Sequence, residues 1–249
     1  MNLMDLISEF HSKAERQGPG SDEMTKRALA AMPLLGRDAR ILDIGCGTGA
    51  STIVLARETG ASFVALDALT PFLDELQARF LASGLQDRVQ TVPGDMREMP
   101  FEPATFDAIW SEGAIYHIGF ARGLREFRKY LKQRGCIAVS EIVWLTDERP
   151  KEIEDYWMQQ YSGIDTIDNK LQAISSTGYE LLTHFVLPEE CWTEHYYKFN
   201  RARTLELTEK YRGNPEVEEF LHEGIREADL YDRYKDYYSY VFFVAQRTD

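Results

Sequence analysis

Between Arg40 and Glu141, apolar residues fall in short runs separated by stretches where they recur every three or four positions. The runs at 40–44, 62–67, 89–93, 106–111 and 136–143 read as strands. The intervening stretches at 50–59, 71–83 and 119–133 read as amphipathic helices. Strands alternating with helices predict an α/β fold with a Rossmann-like, doubly wound sheet of parallel strands. Phe63-Val64-Ala65-Leu66 and Ile137-Ala138-Val139 are continuously apolar, as strands covered on both faces tend to be. Residues 1–32 read as helical, broken by Gln17-Gly18-Pro19-Gly20-Ser21. Ser21 is placed to cap a second helix whose first turn holds Asp22 and Glu23. Beyond the core, 146–177 reads as helices, 179–187 as a strand, the stretch to about 231 as helices again, and 238–245 as a last strand.

Composition narrows the function classes. The chain has 249 residues, 44% of them hydrophobic and 12% aromatic, enough for a packed core. Its 28 basic and 41 acidic residues leave 28 − 41 = −13 charges. The densest basic stretch, Arg122 to Arg134, lies on a mixed helix with Glu126, so no phosphate-binding face stands out and no nucleic-acid partner is expected. Cys46, Cys136 and Cys191 have neither metal nor redox spacing, so no metal site is expected. Asp5 and Glu9 interrupt the N-terminal apolar stretch, which rules against a signal peptide. No run reaches the roughly 20 apolar residues that span a bilayer. The expectation is a reduced, cytoplasmic protein with no membrane partner.

The chemistry concentrates in Asp43-Ile44-Gly45-Cys46-Gly47-Thr48-Gly49-Ala50, where a strand enters a glycine-rich turn and then a helix. Glycine lets the backbone bend and approach a ligand closely, and the helix start offers unpaired N–H groups. Gly45-x-Gly47-x-x-Ala50 satisfies a dinucleotide fingerprint, with Asp67 at the end of the second strand placed for ribose hydroxyls. Three features shift the balance from NAD or FAD. Asp43 would repel a pyrophosphate and suits a ligand with a cationic end. Gly94-Asp95-Met96 follows the third strand, where a carboxylate and an apolar side chain suit an adenine. Ser111-Glu112-Gly113 ends the fourth strand at the carboxyl edge, where open α/β sheets bind ligands.

In this order and spacing, Leu42–Gly49, Leu66-Asp67, Gly94-Asp95-Met96 and Phe106–Glu112 resemble class I S-adenosylmethionine-dependent methyltransferases. Within them the chain resembles the bacterial small-molecule group that includes ubiquinone/menaquinone-type enzymes. The resemblance covers about 38–145. It implies a seven-stranded sheet whose last strand runs antiparallel between the fifth and sixth, S-adenosylmethionine (SAM) as cofactor and S-adenosylhomocysteine (SAH) as product. It implies one methyltransferase domain over 1–249, with an N-terminal helical lid (1–37), a SAM-binding core (38–145), and a helical cap with the last two strands (146–249). Gly45, Gly47 and Gly49, with Asp43 and Cys46, would line the methionine part. Asp67 and Ala68 would hold the ribose, and Asp95 and Met96 the adenine. Ser111 would lie near the methyl-transfer centre. The Gln17–Ser21 break reads equally as a lid hinge or a plain interhelical turn.

Glu112, Tyr116 and His117 are the candidate catalytic residues. His117 is placed as a general base, because imidazole titrates near neutral pH. Glu112 is expected to contact the acceptor or the ammonium end of SAM, because a carboxylate at the sulfonium would favour the ground state. Trp144, Trp192 and His195 are candidate substrate contacts, the last two in the aromatic stretch Trp192–Tyr197. The function read from these features is methyl transfer to a small-molecule acceptor. The alternatives are a SAM-binding protein without transfer activity and an NAD(P)-dependent oxidoreductase. The aromatic C-terminal strand suggests core filling or a homodimer contact.

Overall fold

The computed structural model describes residues 3–249. Two N-terminal helices, α1 (Leu3–His11) and α2 (Asp22–Ala30), precede the alternating unit. That unit runs β1 (Arg40–Ile44), α3 (Ala50–Glu58), β2 (Ser62–Asp67), α4 (Thr70–Ala82), β3 (Val89–Pro93), β4 (Phe106–Glu112), α5 (Phe120–Arg128) and β5 (Leu131–Trp144). A cap follows: α6 (Lys151–Gln160), the two-residue strand β6 (Asp165–Thr166), α7 (Ile167–Ser176), β7 (Tyr179–Val186), α8 (Glu190–Trp192), a π-helical turn at Thr193–Tyr197, α9 (Lys198–Lys210) and α10 (Pro215–Tyr234). β8 (Tyr238–Arg247) ends the chain.

The main sheet has the order β3-β2-β1-β4-β5-β8-β7, with β6 pairing to β5. β1 to β5 pair in parallel, and β8 is antiparallel to both β5 and β7. The expected seven-stranded topology is therefore present, with β6 as a short addition. Side chains alternate across the sheet, so successive β1 residues enter different cores. Ile41, Phe63, Ala65, Ala108 and Trp110 pack on one face, and Leu42, Ile44, Val64, Leu66 and Ile109 on the other. A third cluster, in which Leu6 and Phe10 meet Leu207, Val217 and Leu221, ties α1 to the cap.

Local chemistry sets several boundaries. Ser21 accepts a hydrogen bond from Met24 N–H at 3.3 Å, the expected cap of α2. Asn214 caps α10 by accepting from Val217 N–H, ahead of Pro215. The expected helix over 119–133 instead stops at Arg128, and β5 begins at Leu131. Leu131 is fully buried opposite Phe106, and the ladder then shifts register where Arg134 takes a positive φ of 61°. Burial of one leucine in the sheet outweighs the helical periodicity around it. β8 lies inside the sheet, so Tyr238, Tyr240, Phe242 and Phe243 fill the core. The aromatic strand that suggested a homodimer is thus interior. Among the described residues, no helix is long and apolar enough to cross a membrane.

Candidate active site

The glycine turn sits at the carboxyl ends of β1, β2 and β4. Gly45, Gly47 and Gly49 have φ of 70°, 54° and 84°, the left-handed region that a side chain disfavours. A Cβ at Gly45 would lie 2.4 Å from Ala114 Cβ, and one at Gly49 2.6 Å from Leu76 Cγ. Asp67, at the end of β2, accepts from Gly47 N–H and Leu69 N–H, both at 2.9 Å, which fixes its carboxylate beside the turn. Burial raises its pKa against those hydrogen bonds. Asp43 is fully buried beneath the turn. One of its oxygens accepts from Ser51 Oγ at 2.9 Å and Thr52 Oγ1 at 2.7 Å, bracing β1 against α3. Its other oxygen, Oδ1, has no hydrogen-bond partner. Burial pushes its pKa up to about 7. Cys46 is buried, its thiol turned to the Gly47 carbonyl and its pKa raised by burial.

Ala68, Asp95 and Met96 line up beyond Asp67, at the carboxyl ends of β2 and β3. Ala68 is exposed, Asp95 is exposed and pairs with Arg97 at 3.2 Å, and Met96 is half-buried with its Cε beside Gly45. His117 stands on the same side. The charges acting on its imidazole are Asp67, Arg97 and Asp95, while desolvation lowers its pKa. His117 therefore stands near the residues expected to hold the ribose and the adenine. On the single 3-10 turn Ile115–His117, its ring packs against that of Tyr116, with centroids 4.1 Å apart.

Glu112 is not free either. Its carboxylate accepts from Arg16 Nη1 at 2.8 Å, Thr25 Oγ1 at 2.7 Å and Trp110 Nε1 at 2.8 Å. The Arg16 and Glu112 side chains are 7% and 11% exposed, so this is a buried ion pair that anchors the N-terminal segment to β4. Ser111 is fully buried and donates to the Ile44 carbonyl at 2.9 Å, joining the ends of β4 and β1 instead of facing a ligand. The segment preceding α2 also lies on the glycine turn. Gln17 Oε1 accepts from Thr48 N–H at 3.0 Å, and its Nε2 donates to Thr48 Oγ1 at 2.9 Å. Arg79 of α4 donates to the Ala14 carbonyl at 2.8 Å and the Glu15 carbonyl at 3.1 Å. The turn amide of Thr48, just before α3, is therefore taken by the chain's own Gln17. Sequence reasoning had no means of assigning that role.

The aromatic contacts are redistributed. Trp192 is buried against Tyr231 with ring centroids 4.5 Å apart, and its N–H is satisfied by Ser239 at 3.1 Å. Trp144 is buried edge-on to Tyr238 under the Arg149 guanidinium. His195 is exposed on the π-helical turn. These three expected substrate contacts are core, core and surface. In their place Tyr240 reaches the β4 edge, its hydroxyl 3.9 Å from the position of a Cβ on Gly113. Tyr116 lies edge-on to Tyr161, centroids 5.6 Å apart, and desolvation pushes its pKa up to about 12. Glu227 and Glu141 act electrostatically on both Tyr116 and Tyr240, and Tyr196 acts on Tyr240. Glu141 is wholly buried, paired to Lys170 at 3.0 Å and to the Tyr161 hydroxyl at 2.7 Å. Glu141, Glu227 and Tyr240 were missed because residues far apart in the chain bring them together.

Residues 41–135 match the family model of a methyltransferase domain. Methyltransferase GfsG of Streptomyces halstedii is 28% identical over 148 residues, covering 57% of this chain and 53% of that protein. Sterol 24-C-methyltransferase of Clavispora lusitaniae is 29% identical over 187 residues, covering 70% of this chain and 49% of that protein. The chain thus spans about half the length of the curated relatives it matches. The structure of a SAM-dependent methyltransferase from Thiobacillus denitrificans, in complex with S-adenosyl-L-homocysteine, superposes with a TM-score of 0.84. It is 18% identical and covers 99% of this chain and 98% of that one, which establishes a shared fold. Residues 41–135, which carry the glycine turn, thus match a methyltransferase domain, and the chain as a whole shares the fold of a SAM-dependent methyltransferase structure.

Proposed function

We propose that the protein binds SAM and transfers its methyl group to a small-molecule acceptor. The observation that carries this reading is the turn itself. Three left-handed glycines lie above a buried carboxylate whose Oδ1 has no partner, beside Asp67 at the ribose position. The fit to SAM is chemical. Asp43 puts negative charge under the turn, which suits a ligand with a sulfonium and an ammonium and opposes a pyrophosphate. Asp67 is held by two backbone amides, and its remaining lone pairs are in position for hydroxyls. Ala68, Asp95 and Met96 continue that line toward an adenine. SAM supplies an electrophilic methyl, so the protein's part is binding, orientation and exclusion of water. The strap Ala14–Gln17, pinned by Thr48 and Arg79, covers the turn. Tyr116 and Tyr240 border the β4 edge where an acceptor would enter. Orientation of this kind is worth roughly 7–11 kcal/mol of barrier.

Calorimetry with SAH and NADH, followed by incubation of the full chain with methyl-labelled SAM and a metabolite extract, tests the reading. SAH binding with a labelled product is the expected result. Tight NADH binding without SAH binding would overturn it. SAH binding with no labelled product from any extract would make the chain a SAM-binding protein without transfer activity.

A further inference from the structure

The cap encloses a cavity of about 200 Å³ between α1, α6, α9 and α10, outside the glycine turn. Rings of Phe10, Trp157 and Tyr196 make up much of its wall. Its polar lining is rich in acceptors. Asn200 Oδ1 is buried without a partner, as is Nδ1 of His11, whose imidazole desolvation holds neutral with a pKa down to about 4. The charges divide unevenly. Arg201 is paired with Asp232 at 2.6 Å, and Glu223 is met by Gln160 at 3.2 Å and Arg226 at 3.5 Å. Glu227 has only the Tyr197 hydroxyl, at 2.9 Å, and among the described residues no lysine or arginine pairs with it. The wall facing the sheet therefore carries one uncompensated carboxylate among aromatic rings. Burial raises the pKa of that carboxylate, and a cation beside it would lower it again. Packed rings connect this wall to the β4 edge: Tyr197, which donates to Glu227, has its ring centroid 5.9 Å from that of Trp192, and Trp192 lies 5.4 Å from Tyr240.

We infer that this cavity seats the ammonium end of the methyl acceptor, with its charge against Glu227 and its carbon substituents against Phe10, Trp157 and Tyr196. A separate atom of the same molecule, with a free lone pair, takes the methyl as the sulfonium C–S bond breaks to leave SAH. An aromatic face attracts a cation through its quadrupole, and a desolvated carboxylate discriminates charged from neutral groups of the same shape. The inference rests on the methyltransferase reading and names its substrate class.

The test is calorimetry on the SAH-loaded full chain with choline and with dimethylbutanol, in which carbon replaces the quaternary nitrogen. Choline should bind at least tenfold more tightly. Glu227→Gln should weaken choline about tenfold and dimethylbutanol little, with SAH affinity unchanged. Equal affinity for the two probes, or binding of neither while SAH binds normally, would overturn the inference. Failure of SAH itself to bind would instead overturn the methyltransferase reading. If Glu227→Gln does not fold, the comparison of the two probes on the wild-type chain decides the matter.

Discussion

Replacing Glu112 by glutamine separates the two roles this residue can hold, a ligand contact or an anchor for the N-terminal strap. In the structure the carboxylate accepts three hydrogen bonds, from Arg16, Thr25 and Trp110, at 2.7–2.8 Å. Removing one partner of a buried ion pair costs about 3–5 kcal/mol, because the other charge stays desolvated. Two features move Glu112→Gln toward the lower end. The amide oxygen can still accept from Thr25 and Trp110, and Arg16 keeps Asp22, which is 41% exposed, at 3.0 Å. Against that, the amide NH₂ turns two donors toward the Arg16 guanidinium, which offers only donors. The balance is a loss of about 3 kcal/mol. At roughly 2–4 °C per kcal/mol for a domain of this size, the melting temperature should fall by about 6–12 °C.

Scanning calorimetry reads the loss, and hydrogen exchange locates it. Amides in 12–25 should exchange faster, because the pair joins that segment to β4. Arg16→Met combined with Glu112→Gln should cost less than the sum of the two single changes by at least about 1 kcal/mol, as expected for side chains in direct contact. A melting temperature within about 2 °C of wild type would refute the anchor. So would strict additivity in the cycle. A tenfold or larger loss of SAH affinity with unchanged exchange in 12–25 would return Glu112 to the ligand.

Other perturbations test other parts. Gly49→Ala forces a side chain into φ 84° and within 2.6 Å of Leu76 Cγ, so it should destabilise by at least about 2 kcal/mol in urea unfolding; an unchanged midpoint would refute the close approach. Lys170→Met strands the fully buried Glu141 and should cost about 3–5 kcal/mol, most of it recovered by adding Glu141→Gln; no recovery would show that the loss is not electrostatic. His11 has a folded pKa of about 4, below its unfolded value of 6.5, so the folded state binds fewer protons in between. Its contribution is complete above pH 6.5 and is lost as pH falls toward 4. The stability of wild type relative to His11→Leu should therefore drop by about 1.4 kcal/mol per pH unit over that window, and a flat difference would refute the buried neutral imidazole.

The donor half of the molecule is legible in the sequence because it is built from neighbours. β1, the glycine turn and α3 occupy nineteen consecutive positions, 40–58, and the buried strands announce themselves as apolar runs. Even Asp67, which touches Gly47 from another strand, stands at a fixed distance after the turn. The legible part ends where side chains meet across the chain. Arg16 and Glu112 are 96 residues apart, Gln17 and Thr48 are 31 apart, and neither pair leaves a periodic trace. The stretch Trp192–Tyr197 looks like one polar-aromatic lining, yet the π-helical turn divides it. Trp192 and Tyr197 face the core, Tyr196 the cavity and His195 the solvent. One signal for the cavity was present: Glu227 falls on the α10 row of Phe220 and Gly224, which line the cavity with it, and of the buried Tyr231.

Charge compensation links the two halves. Among the carboxylates that the fold draws inward, two have a basic partner: Glu112 with Arg16 and Glu141 with Lys170. Those two hold the strap and the cap to the sheet. Asp43 and Glu227 have hydroxyl partners and no cation. Burial raises the pKa of both, and that cost is tolerated in folded proteins mainly where function requires it. Asp43 lies under the turn where a cationic donor would sit. Glu227 lines the cavity of the cap, where it accepts from the Tyr197 hydroxyl. A cation at each position would lower the pKa of the carboxylate beside it. Binding of SAH near pH 7 should therefore release protons from Asp43, whose pKa burial raises to about 7. The observed binding enthalpy should then change with the ionisation enthalpy of the buffer. A ligand bound elsewhere, or a carboxylate already ionised by an unseen partner, would show no such dependence.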